Sequence, residues 1–256
     1  MELNESTFCS LWTKRIRLNN CADLFINETF SEDYFFNRVN NILYCHDITS
    51  VLDKSIRIFS EKRLKCYVYV GDVDSGDYDD DDDDPHSVME KMLLEKRFNL
   101  LDTMQAFRSD REKIQYENHK IQVDKIDIAL IPVWIDVFCK SFDVLEWKPE
   151  LERILKLHFN ELTLLVAYVK DNSSQIPAGC ALLFNLHKTT GLYCLGTVPS
   201  FRRQGLAKKI IKVSLDIAMQ QRTHSLILQA FTREGFQEFY KRLGFELVYK
   251  KRIYVS

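Results

Sequence analysis

Glycine and proline are sparse in this chain, 8 and 5 among 256 residues. That excludes collagen-like and Pro/Gly-rich low-complexity sequence, and it makes each glycine inside a patterned stretch informative. Long hydrophobic runs are missing as well. The longest apolar stretch, residues 128–139, is broken by Asp136 and falls short of the ~20 residues that a membrane helix needs. Positive charge is not in excess: 35 Lys and Arg stand against 37 Asp and Glu, so there is no electrostatic footprint for nucleic acid. The first ten residues, MELNESTFCS, lack the basic start and apolar core of a secretory signal. The seven cysteines are odd in number, widely spaced and without a CxxC pair. This pattern predicts reduced thiols in a cytoplasmic chain, with neither a zinc site nor a disulfide framework. What remains is ordinary globular composition, 46% hydrophobic and 28% charged, long enough for one large or two small domains.

The stretch that organises the rest runs GLYCLGTVPSFRRQGLAKK over residues 191–209. It opens as an apolar strand, which Pro199-Ser200 breaks by removing a ladder donor. After Arg202-Arg203-Gln204-Gly205-Leu206-Ala207 a helix begins, with Leu206, Ile210, Val213, Ile217 and Gln221 spaced as one face. A strand that enters a helix through glycine has a chemical use. The first helix amides have no intrahelical partner and carry the positive end of the dipole. Gly205 and Ala207 let an anion approach them, while Arg202, Arg203, Lys208 and Lys209 add charge. This describes a diphosphate seat built mostly from backbone. The spacing fits neither a Walker loop nor the three-glycine dinucleotide fingerprint.

At these residues the sequence resembles the GCN5-related N-acetyltransferase (GNAT) superfamily, whose strand-to-helix turn reads Arg/Gln-x-x-Gly-x-Gly/Ala. Arg202-x-x-Gly205-x-Ala207 matches it, and Phe239-Tyr240-Lys241-Arg242-Leu243-Gly244-Phe245 resembles the closing signature of that superfamily. Two motifs in the right order, about 35 residues apart, are far more specific than either alone. The resemblance covers about residues 117–256. It implies a mixed, mostly antiparallel α/β sheet flanked by helices. It also implies an N-acetyltransferase that carries the acetyl group of acetyl-CoA to a primary amine by direct attack on the thioester. Leu195, Gly196 and Thr197 would hold the pantetheine arm through backbone groups. Arg203, Gln204, Gly205, Leu206, Ala207 and Lys208 would wrap the diphosphate. Tyr240 would protonate the departing thiolate. Acetyl-CoA serves as co-substrate and no metal is required. The amine, a small molecule or a protein amine, has no signature in the sequence, and neither has the oligomeric state. The general base is unassigned: the strand before the turn offers no carboxylate, and Glu146 or Glu150 are the alternatives to a water chain. A packed aromatic is the other reading of Tyr240, and Cys194 lacks a histidine-centred arrangement around it. The alternative for the whole domain is a catalytically inactive acyl-CoA-binding or protein-interaction module.

Elsewhere, periodicity predicts helices over 32–43, 51–64 and 87–96, and strands over 65–70 and 98–107. A boundary in the charged segment 108–120 separates an N-terminal α/β domain, residues 1–115, from the acetyl-CoA-binding domain, residues 116–256. The second domain reads β-α-α-β-β-β-α-β-α-β, with its last helix from about Arg233 to Leu243 and a final strand over 245–255. Six aspartates over 79–84 read as a solvated loop; the faint calcium-loop echo before them lacks its closing glutamate. Leu93 to Leu100 align without gaps on Tyr240 to Leu247, matching only Phe98 with Phe245 and Leu100 with Leu247. That weak echo suggests a degenerate, cofactor-free GNAT-like first half; an unrelated α/β cap is the alternative.

Overall fold

The computed structural model describes residues 1–71, 85–110, 114–171, 174–223 and 225–256. The aspartate run at 79–84 and the calcium-loop echo therefore lie outside the described residues. In chain order the elements begin with helix α1 (Glu2–Trp12), strands β1 (Lys14–Leu18), β2 (Ala22–Ile26) and β3 (Arg38–Asn40), and helix α2 (Ile48–Glu61). Strand β4 (Tyr67–Gly71), helix α3 (Pro85–Glu95), and strands β5 (Asn99–Ser109) and β6 (Ile121–Lys125) follow. Next come helices α4 (Ile131–Phe142) and α5 (Lys148–Leu157) and strands β7 (Leu162–Asp171), β8 (Ser174–Leu186) and β9 (Thr189–Thr197). Helix α6 (Leu206–Gln220), strand β10 (Ser225–Phe231), helix α7 (Gln237–Arg242) and strand β11 (Glu246–Val255) complete the chain.

Two compact units result, and the chain passes between them several times. The first comprises Met1–Phe8, Phe107–Gln229 and Glu238–Glu246, the second Cys9–Ala106, Ala230–Gln237 and Leu247–Ser256. In the first unit the strand order is β10-β9-β8-β7-β6. The pairs β6–β7, β7–β8 and β8–β9 are antiparallel, while β9 and β10 run parallel over Thr189–Leu192 only. A parallel pair requires a crossover, and α6 supplies it. Its buried face is Leu206, Ile210, Ile211, Ser214, Leu215 and Ala218, not the face through Val213 and Ile217 that apolar spacing predicts. Ser214 donates its hydroxyl to the Ile210 carbonyl at 2.8 Å, so it enters the core with its polarity satisfied inside its own helix. Trp134 of α4 is buried and donates Nε1–H to the Ala181 carbonyl at 2.9 Å. The start of α1 is held here too. Asn4 accepts from the Tyr193 hydroxyl at 2.7 Å, and Phe8 stacks on that ring at 3.7 Å.

The second unit repeats this logic. Its order is β1-β2-β3-β4-β11-β5, with β1–β2 and β2–β3 antiparallel. Strands β3 and β4 are parallel, paired at Val39 and Val68, with α2 as crossover. Leu24, Val39, Val68, Val51, Leu52, Phe59, Met89, Leu93 and Tyr254 form one core. The last strand of the chain, β11, lies antiparallel to β4. Glu90 of α3 fastens it by accepting from Arg252 at 3.0 Å and from the Tyr254 hydroxyl at 2.8 Å. Burial and that donated hydrogen bond push the Tyr254 phenol up to about 12.

The Leu93–Leu100 echo has a structural counterpart. Arg97 takes a φ of 65° and Gly244 one of 85°, both left-handed helix ends. The Phe98 amide donates to the Leu93 carbonyl at 2.9 Å, and the Phe245 amide to the Tyr240 carbonyl at 3.1 Å. Both helices thus close with the same 6→1 bond onto a buried phenylalanine.

Three further expectations are corrected. Residues 32–43 are not a helix but a turn followed by β3 and the 3-10 turn Ile42–Tyr44. Asp33 accepts from the Phe35 and Phe36 amides at 2.8 and 3.0 Å, and Asn37 bonds the backbone of Asn27 and Phe30. These short side chains take the backbone groups a helix would need. The helix expected from Arg233 starts later, at Gln237, because Gly235 at φ 71° ends a separate 3-10 turn first. Finally, the cysteines are not all reduced: Cys21 and Cys45 form a disulfide. They lie 24 residues apart in sequence, so no local spacing signals the pair. Closing that loop removes denatured-state entropy of about 3.5 kcal/mol. Cys21→Ser/Cys45→Ser should unfold at correspondingly lower urea, and reductant should shift wild type to the same curve. Coincident curves with and without reductant would mean the bond does not form in the purified protein.

Candidate functional site

Strand β9 carries one residue more than its partner near its end. Tyr193 pairs with Leu182 and Gly196 with Cys180, so Cys194 and Leu195 together oppose Ala181. Cys194 takes a φ of 55°. Such a bulge turns backbone groups out of the ladder and re-aims the strand; here the Cys194 carbonyl accepts from the Cys180 thiol at 3.6 Å. Gly196 follows, and here the missing side chain is a packing requirement. A Cβ would come within 2.8 Å of both Phe142 Cε2 and Ser141 Cβ at the end of α4.

After β9 the 3-10 turn Pro199–Phe201 leads to Arg202 in extended conformation. Its guanidinium donates Nη2 to the Ser141 carbonyl at 3.0 Å and Nε to the Thr197 carbonyl at 3.2 Å. Arg202 therefore ties the C-terminus of α4 to the end of β9, where a cation is favoured by the exposed carbonyls. Arg203 takes a φ of 62° and Gly205 one of 91°. Gly205 is the N-cap of α6 and offers no side-chain acceptor. The first helical bond runs from Lys209 N to the Gly205 carbonyl, so the amides of Leu206, Ala207 and Lys208 precede every helical carbonyl that could take them. Exposed Arg203 and half-buried Lys208 and Lys209 crowd the same end. Positive side chains at a positive helix end are unfavourable by themselves; a bound anion makes them favourable.

Residues 132–245, which hold this bulged strand and glycine-entered helix, match the model of the Acetyltransferase (GNAT) family. Over these residues the chain is similar to that family. An uncharacterized N-acetyltransferase of Bacillus subtilis, CgeE, is 27% identical over 99 residues. That match covers 38% of this chain, and the chain spans 38% of that relative's length. Solved structures extend the likeness beyond these residues. A GCN5-related N-acetyltransferase from Sphaerobacter thermophilus superposes with a TM-score of 0.68 at 11% identity, covering 94% of this chain and 82% of its own. One from Kribbella flavida gives 0.64 at 10% identity, covering 100% and 94%. A tandem GNAT protein from the clavulanic acid biosynthesis pathway gives 0.57 at 8%, covering 86% and 74%. At such identities the likeness is one of fold, and the expected mixed, mostly antiparallel sheet with a second α/β part before it is the fold found.

Tyr240 sits on α7, within the residues that match the family model, and is 7% exposed. Its ring lies 5.5 Å from Phe107, 5.3 Å from Phe239 and 6.0 Å from Phe245. Of the carboxylates left open as bases, Glu150 accepts both nitrogens of Arg153 at 2.8 Å, and Glu146 is exposed on the turn before α5. An open cleft of about 470 Å³ beside α4 and α5 contains Asp136. Hydrogen bonds from Lys140 and Lys148 hold that carboxyl below the usual range, which makes it a poor base. Beneath the bulge, burial pushes the Cys139 thiol up to about 11 and the Cys180 thiol well above its ordinary value. Both are thus protonated and inert at neutral pH. Among the described residues no group of three or more His, Cys, Asp or Glu is placed to hold a metal. None of their helices is long and apolar enough to cross a membrane.

The corresponding crossover in the second unit begins differently. Helix α2 is capped by Asp47, which accepts from the Ser50 amide at 3.0 Å. A carboxylate already occupies the anion position there. Three features of the site had no signal in the sequence: the bulge at Cys194, the approach of Ser141 and Phe142 to Gly196, and Tyr116 against Gly205. The first depends on register and the others on segments more than 50 residues away.

Proposed function

We propose that this chain is an acetyl-CoA-dependent N-acetyltransferase acting on a primary amine. The observation that carries the reading is α6 starting on Gly205 at φ 91°, uncapped and ringed by cations, directly after a bulged strand. In this reading backbone groups of Leu195, Gly196 and Thr197 hold the pantetheine arm as an added strand would. Arg203, Gln204, Gly205, Leu206, Ala207 and Lys208 enclose the diphosphate. The amine lone pair attacks the acetyl carbonyl, and the oxyanion that develops is met by backbone N–H at the bulge. As the tetrahedral centre collapses, the carbon–sulfur bond breaks and Tyr240 protonates the thiolate. The amine gives up its proton to solvent or to a base not assigned.

Residues 116–256 would carry this chemistry. Residues 1–115 would be a degenerate, cofactor-free GNAT-like half, supported by the shared crossover order, the twin helix ends at Arg97 and Gly244, and the Asp47 cap. We place the reaction in the cytoplasm, where acetyl-CoA is at hand; the Cys21–Cys45 disulfide is the feature at odds with that, and the reductant experiment above bears on it. One observation favours the second reading, a catalytically inactive acyl-CoA-binding module: Tyr240 is buried among three phenylalanine rings. Calorimetric titration with acetyl-CoA, followed by screening amines for thiol release, tests both. Micromolar binding with thiol release supports the enzyme. Binding without release from any amine supports the silent module, and no binding at millimolar acetyl-CoA overturns both.

A further inference from the structure

We propose that Tyr116, in the segment leading into β6, is a positioning residue of the acyl-CoA site. In this role it holds Lys208 at the diphosphate turn and seals the far side of Gly205. The inference rests on the reading that the diphosphate seats at Gly205, and it concerns a residue outside both sequence motifs.

The geometry is specific. A Cβ built on Gly205 would lie 1.8 Å from the Tyr116 hydroxyl and 2.9 Å from its Cζ. The phenol therefore fills the space where every other residue would carry its side chain. Glycine is demanded twice here, by φ and by Tyr116. The same ring lies under Lys208, with Nζ 4.8 Å from its centroid, inside the range of a cation–π contact. Lys208 stands in the first turn of α6, where the helix dipole repels it, and the ring face offsets that repulsion before any anion arrives.

Tyr116 is itself held from both sides. Ile114 is buried, and Asn118 donates to the Tyr116 hydroxyl at 3.4 Å. Asn118 also forms a local turn, accepting from the Lys120 amide at 3.0 Å, and Lys120 accepts from the Lys170 amide at 2.8 Å on β7. An ammonium fixed before binding loses less freedom on capturing a phosphate.

The test compares wild type, Tyr116→Phe and Tyr116→Ala by titration with acetyl-CoA and with S-acetylpantetheine, which lacks the diphosphate. Tyr116→Ala should weaken acetyl-CoA by about tenfold and leave S-acetylpantetheine unchanged. Tyr116→Phe, which keeps the ring face, should restore most of the affinity. Should Tyr116→Ala not fold, Tyr116→Leu keeps much of the volume without a π face and is read in the same way. Unchanged acetyl-CoA affinity in the alanine variant overturns the inference, and so does an equal loss for both ligands, which would mark a merely structural role. If wild type binds S-acetylpantetheine as tightly as acetyl-CoA, the seat at Gly205 is itself wrong and the inference falls with it.

Discussion

Gly205→Glu should abolish measurable acetyl-CoA binding, weakening it by more than about a hundredfold. Three effects act in one direction. At φ 91° a side chain strains the backbone by roughly 1–2 kcal/mol. The new Cβ would lie 1.8 Å from the Tyr116 hydroxyl, so either the turn or the segment before β6 must move. The carboxylate then stands at the uncapped amides of Leu206 to Lys208 and competes with the diphosphate for the same positive helix end. Gly205→Ala separates these contributions, since it keeps the first two and drops the charge. Adding Tyr116→Phe to Gly205→Ala removes the hydroxyl that the new methyl meets and should return part of the loss. The measurement is calorimetry against acetyl-CoA, with the thermal midpoint recorded for each variant. Wild-type affinity in Gly205→Glu would mean the cofactor binds elsewhere.

Tyr240→Phe should lower kcat by about a hundredfold while leaving the affinity for acetyl-CoA unchanged. The substitution removes only the hydroxyl and keeps the ring packing against Phe107, Phe239 and Phe245, so stability should change little. A kcat within twofold of wild type would leave Tyr240 as a core aromatic and move the chain toward the silent-module reading.

Much of the fold was legible because its signals are short-ranged. The turn from β9 into α6 depends on which residues tolerate a positive φ and on where proline interrupts a ladder. Both are properties of neighbours in sequence, and Gly205 and Pro199 announce them. The echo between Leu93–Leu100 and Tyr240–Leu247 was nearly invisible, with two identities, because the shared feature is a backbone geometry. Arg97 and Gly244 reach the same left-handed state, one at a steric cost and the other without it. Apolar spacing named the wrong face of α6, since it cannot know that Ser214 satisfies its own hydroxyl and so packs as a small residue.

By itself, then, the sequence determined the GNAT motif turn, the closing helix end at Gly244 and the alternation of strands and helices after residue 121. These rest on backbone preference and on periodicity within some ten to fifteen residues. Only the tertiary structure decided that Cys21 meets Cys45, that β11 pairs with β4, and that Asn4 receives the Tyr193 hydroxyl. It alone also decided that Arg202 serves the end of α4 and that Tyr116 fills the space over Gly205. Each of these joins groups whose chemistry is unremarkable alone and whose separation along the chain carries no trace of their contact. Burial against a shared sheet brings them together, and a cation, a thiol or a phenol acquires its role from what the sheet sets beside it.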